Sequence, residues 1–173
     1  MTERVAYGIV YNVQPEPFDP DHTDWIEAGA VRFGLESRVV DPERLREAYA
    51  GSAEDLAEIE KHSPEGGFSD AGLSIHVVGT ADDHEYLRFD AFEGEPHYHY
   101  VRPGGDHNHW VPFDPVAGGA MVDFALRSLR ERLAPMLENA GGGTVARALD
   151  PAEQGPAIDE LERRIAALGR IGP

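Results

Sequence analysis

At 173 residues the chain has room for one ordinary domain with a real core, so residues 1–173 are read as a single unit. Its 15 Lys plus Arg stand against 32 Asp plus Glu, a formal net charge of −17, and no basic stripe offsets that locally, which argues against nucleic acid and anionic membrane as partners. The absence of cysteine removes disulfides, thiolate metal sites and a cysteine nucleophile, leaving any metal to nitrogen and oxygen ligands.

No stretch approaches the roughly 20 apolar residues of a membrane span, and no signal-peptide core follows Met1, so a cytoplasmic protein is expected. Val5, Tyr7, Ile9, Tyr11 and Val13 alternate with smaller or polar residues, the period of a half-buried strand. Pro15, Pro17 and Pro20 interrupt the ladder over residues 12–23. A second strand follows, with Val31, Phe33, Leu35 and Val39 on one face, and the two strands are expected to form a hairpin-like unit. Asp41-Pro42 and Ser52 with Asp55 are helix-start signals, predicting two short helices over residues 42–62.

Residues of about 72–113 read as a four-strand antiparallel meander, with turns at 79–83, at Gly94-Glu95 and at Pro103-Gly104-Gly105. Asp114-Pro115 then opens a helical region in which Met121, Phe124, Ala125, Leu129, Leu133 and Met136 form an apolar stripe, with Pro135 bending or shortening it. Asp150-Pro151 opens a last helix whose Ile158, Leu161, Ile165 and Leu168 face one side. The fold expected is α+β: an antiparallel sheet with the meander, two short helices before it and two helices packed on one face after it. The last helix either docks on the core or pairs copies of the chain into a homo-oligomer.

Parity decides which side chains meet, because directly opposed residues of antiparallel strands point to the same face. Burying Leu73, Ile75 and Val77 with Leu87, Phe89 and Ala91 sends Ser74, His76 and Val78 to the other face with Tyr86, Arg88, Asp90 and Phe92. A two-residue turn at Gly94-Glu95 opposes Phe92 with His97 and Asp90 with His99. A three-residue loop at Pro103-Gly104-Gly105 opposes His99 with His109, with His107 nearer the turn; a two-residue loop sends His107 and His109 to the opposite side. Val101, Val111 and Phe113 would make the histidine face half apolar, as a small-molecule pocket needs.

The leading expectation is therefore a small metal-dependent enzyme in which His97, His99, His109 and Asp90 bind a divalent transition metal (Fe, Zn or Cu). Two histidines and a carboxylate with open positions form a recurrent catalytic ligand set. Arg88, Asp90 and His107 are the candidate catalytic groups, acting on a small-molecule substrate. One alternative is a metal-free acid/base pocket, isomerase- or cyclase-like, with a histidine paired to Asp90. Another is a non-enzymatic binding or assembly module. Tyr98, Tyr100 and Trp110 read as core beneath the long helix, and His22, His62 and His84 as ordinary surface residues.

Overall fold

The computed structural model describes residues 8–103 and 107–169, so Val5 and Tyr7 of the expected first strand, and Gly104 and Gly105 of the expected turn, lie outside the described residues. The described strands are β1 (Ile9–Tyr11), β2 (Thr23–Ala28), β3 (Val31–Val40), β4 (Asp70–Gly79), β5 (Glu85–Phe92), β6 (His97–Val101) and β7 (Asn108–Pro112). They form one 7-stranded antiparallel sheet in the order β1-β7-β6-β5-β4-β3-β2. The four-strand meander is present as β4 to β7, within a larger sheet.

The hairpin expected between the first strand and the strand at Val31 does not form. β1 pairs instead with β7, Ile9 opposite Trp110, at the far edge of the sheet from β3. The partner of β3 on its outer side is β2, and Gly29, at φ 72, supplies the left-handed turn between them. The proline-rich residues between β1 and β2 thus carry the chain across one face of the sheet, where the Phe18 ring lies 5.4 Å from the His76 ring.

Helix starts follow the sequence closely. Asp41 accepts from the backbone N–H of Glu43 and Arg44 to open α1 (Pro42–Ala48), and Ser52 caps α2 (Ala53–His62) through the N–H of Asp55. After the sheet come α3 (Pro115–Gly118), α4 (Met121–Glu131), α5 (Leu133–Asn139), α6 (Gly143–Arg147) and α7 (Pro151–Gly169). The expected long helix is broken into α4 and α5 at Arg132, whose φ is −130. Pro135 explains the break: it has no N–H for the Glu131 carbonyl four residues back, and its ring would collide there.

The α4 to α7 layer packs on one face of the sheet. Phe33, Ile75, Val77, Leu87 and Phe89 bury themselves against Leu129, Leu137, Ile158 and Leu161. Val39 and Leu168, expected to turn inward, are 53% and 42% exposed, because each lies toward the end of its element, where the facing layer has run out. The opposite face carries a belt of buried polar groups, among them Glu36, Arg38, Ser74, His76, Arg88, Asp90, His97, His99 and Asn108. Residues from α1, α2 and the loop after α2 cover that face.

Candidate metal centre

Three register details assemble this polar face. Between β4 and β5 the pairing slips at Val77/Val78, which sets Glu85 opposite Val78 and turns it toward His76. The same bulge sends Tyr86 into the helix-side core, not onto the histidine face where simple alternation puts it. Between β5 and β6, Asp90 faces His97 and Arg88 faces His99, two residues away from the expected pairing. The connection is longer than a two-residue turn because the Asp70 carboxylate gathers the N–H groups of Gly94 and Glu95, at 3.0 and 2.7 Å. A shift of two preserves the face, so Asp90, His97 and His99 still converge.

The third detail separates the histidines. β6 and β7 pair with Tyr100 opposite His109, His99 opposite Trp110 and Val101 opposite Asn108. That is one residue from the three-residue-loop register, and a slip of one exchanges the faces. His109 therefore shares the side of Tyr100, which packs toward the helix layer, and His107 is exposed beyond the end of β7. Val111 and Phe113 move with His109, and Phe113 stacks on Phe124 of α4. Asn108 and Trp110 take their places beside the histidines. The Trp110 ring lies 5.0 Å from His97, so Trp110 does not belong to the core beneath the helices.

Asp90, His97 and His99 are all buried, and one ligand atom from each lies within 4.8 Å of the others. His97 Nε2 and His99 Nε2 stand 3.1 and 3.2 Å from the same oxygen, Asp90 Oδ2. Two ligands bound at about 2.1 Å to one ion, at angles between a right angle and a tetrahedral one, are themselves about 3.0–3.4 Å apart. The observed separations fall in that range. Ser74 donates to the other carboxylate oxygen, Oδ1, which leaves Oδ2 as the inward-facing atom.

The outer nitrogens complete the arrangement. His97 Nδ1 is 2.6 Å from the Glu95 carbonyl and His99 Nδ1 is 2.7 Å from Asn108 Oδ1. Both partners are acceptors, so each Nδ1 carries the proton and, in the neutral ring, each Nε2 presents a lone pair to the carboxylate. Lone pairs aimed at a carboxylate oxygen repel unless a proton or a metal ion lies between them. Orientation of metal-binding imidazoles by an Nδ1–H bond to an oxygen is the usual support for such ligands.

Burial sets the charge states. It pushes His99 below its ordinary value, outweighing the Asp90 carboxylate beside it, which favours the neutral ring. Burial alone would raise Asp90, but the two imidazoles against it and the nearby Arg88 guanidinium reverse it and hold the carboxyl well below the usual range. Behind the triad, Glu85 accepts from Arg88 Nε and Nη2 at 2.8 and 2.6 Å and meets His76 Nδ1 at 2.5 Å. Burial works against the charge on Glu85, yet Arg88 and His76 keep it ionised far into acid. His76 Nε2 reaches Glu36 at 2.9 Å.

The triad opens on a cavity of about 410 Å³. Its floor is the sheet face with Tyr11, Arg88, Asp90, His97, His99, Asn108 and Trp110, and its cover includes Tyr49, Ile59, His62 and Phe68. His62 was not legible as a site residue, since nothing in a helix C-terminus announces a cavity; its ring meets that of Tyr11 edge-on at 5.0 Å. Asn108 also escaped the sequence, since its place beside His99 depends on the β6–β7 register, whereas Ser74 stands on the Asp90 face where parity put it. Of the residues singled out by sequence, Arg88, Asp90, His97 and His99 come together; His107 and His109 do not join them.

No helix among the described residues is long and apolar enough to cross a membrane. Comparisons with curated proteins and with solved structures return no match. Residues 25–165, which contain Ser74, Asp90, His97, His99 and Asn108, match the family described as a domain of unknown function (DUF7700), and the chain belongs to that family.

Proposed function

We propose that this protein is a small metal-dependent enzyme in which Asp90 Oδ2, His97 Nε2 and His99 Nε2 hold one divalent transition metal and act on a small molecule in the adjoining cavity. The observation that carries the proposal is the convergence of three buried ligand atoms: His97 and His99 turn Nδ1 to acceptors, the Glu95 carbonyl and Asn108 Oδ1, and both turn Nε2 to Asp90 Oδ2. A divalent ion satisfies all three atoms at once. Three protein ligands leave positions open for water or substrate, as catalytic sites require.

The metal sets the reaction. Iron would suit the site to oxidation of the bound molecule with dioxygen as the oxidant; zinc would lower the pKa of a bound water for hydrolysis or hydration. Copper also accepts imidazole and carboxylate ligands. The protein's own contribution is a buried, shaped cavity and oriented ligands.

The test is elemental analysis of the untagged protein beside the His97→Ala/His99→Ala double variant. The expected result is about one Fe, Zn or Cu per chain, absent from the variant. No metal in the wild type, even after anaerobic reloading with each ion, would refute the proposal. It would instead favour the metal-free reading, in which a histidine paired with Asp90 serves as general base and activity ignores chelators.

A further inference from the structure

The buried polar groups behind the triad form a chain whose two ends return to the cavity wall. From Arg88 it runs to Glu85, then His76, then Glu36, and comes back through Arg38, whose Nε lies 3.8 Å from Glu36. Arg88 and Arg38 line the cavity; Glu85, His76 and Glu36 lie behind them. Each charge pair is thus oriented, guanidinium toward the cavity and carboxylate away. Glu16, on the wall, takes part of Arg38 at 2.8 Å, so Arg88 is the stronger anchor.

Arg88 is 2% exposed and stands directly across from His99, on one flank of the triad. Its Nε and Nη2 are fixed by Glu85, so the group is held in place before any ligand arrives. On the other flank the surroundings are aromatic: Phe92 meets the His97 ring edge-on at 5.5 Å and Trp110 lies against it at 5.0 Å. A divalent ion held by a single carboxylate keeps net positive charge, which adds to that of Arg88. From one flank to the other, the lining passes from the Arg88 guanidinium to aromatic rings, with the acids Glu16 and Glu95 also on the wall.

We infer that the site takes a small organic carboxylate with an apolar body, its carboxylate between Arg88 and the metal position and its body against Trp110 and Phe92. This rests on the proposed metal centre for one contact and on Arg88 alone for the other. Guanidinium groups pair with carboxylates by directed, charge-assisted hydrogen bonds, and a pre-fixed guanidinium loses little freedom in doing so. A compact, fully hydrated oxyanion would leave the aromatic flank uncovered.

Calorimetric titration of the wild-type protein, both metal-free and cobalt-loaded, tests the inference with benzoate, phenylacetate and 3-phenylpropionate, their carboxamides, and inorganic phosphate. The expected result is at least one aryl carboxylate bound about tenfold or more tightly than its amide, and more tightly than phosphate. In Arg88→Met/Glu85→Gln, which removes both members of that ion pair together, that preference should vanish while cobalt uptake, read by its visible absorption, persists. Equal affinity for acid and amide, tighter phosphate binding, or a preference that survives the double variant would overturn the inference. Failure of cobalt uptake with the carboxylate preference intact in the metal-free protein would sink the metal centre and leave the Arg88 assignment standing.

Discussion

The two oxygens of Asp90 do different work: Oδ1 is fixed by Ser74, and Oδ2 alone faces both imidazoles. Asn108 acts on His99 in the same spirit, fixing the ring from its far side. Asn108→Ala should fold normally and bind metal about 10–100-fold more weakly, as losses of such supporting bonds do. Competition with a chromophoric chelator measures it, and unchanged affinity would remove Asn108 from the site. Glu85 is the most heavily committed acid behind the triad, with Arg88 and His76 holding its folded value far below the ordinary 4.5. A depressed folded value means that the unfolded chain protonates first as pH falls, so the stability Glu85 contributes is complete above about 4.5 and drains away below it. Glu85→Gln should therefore cost about 3–5 kcal/mol at pH 7 by leaving Arg88 buried without its partner. It should also flatten the fall of stability between pH 4.5 and 3 by about one proton; urea melts across that range decide the point, and parallel acid limbs would contradict it.

At the scale of elements, what was legible and what was not divides along the difference between a pattern and a count. Apolar alternation in β4 and β5 fixes which residues are buried together, and Leu73, Ile75 and Val77 do face Ala91, Phe89 and Leu87. Helix starts were equally plain, because Asp41, Ser52, Asp114 and Asp150 each accept from a following N–H. Loop lengths were not, since they depend on contacts remote in sequence. Asp70 gathering Gly94 and Glu95 is one such contact; it moved the β5–β6 pairing by two and spared the site. The β6–β7 pairing moved by one, which took His109 away and brought Asn108. The strand Thr23–Ala28 was hidden by the prolines before it, although Ile26 and Ala28 alternate inward. The close approach of β4 to β5 at the end of the site yields a prediction of its own. A Cβ on Gly72 would lie 2.2 Å from the Ala91 carbonyl oxygen, a backbone atom that cannot step aside. Gly72→Ala should destabilise the protein by about 1–3 kcal/mol through overpacking, whereas Gly155→Ala, in α7 with nothing within 4 Å, should stabilise it by about 0.5–1 kcal/mol. Denaturant midpoints distinguish the two, and a neutral Gly72→Ala would show that the strands can part at no cost.

Across the whole molecule, one sheet separates two environments. The helix side is an apolar core of ordinary kind, built from Phe33, Ile75, Leu87, Phe89 and the α4 to α7 layer. The other side collects acids, arginines and histidines in a buried belt, an arrangement that core formation does not require and that costs desolvation. Neither composition nor periodicity announces such a belt; only the crossing of residues 12–22 and the placement of α1 and α2 over the sheet turn a histidine-bearing surface into a cavity. The account stands or falls on an ion at the centre of Asp90, His97 and His99. The most direct measurement is the anomalous scattering of crystals of the metal-loaded protein, recorded on both sides of the metal's absorption edge. The account predicts one peak at about 2.0–2.2 Å from Asp90 Oδ2, His97 Nε2 and His99 Nε2. A peak anywhere else, or none after loading, would contradict it.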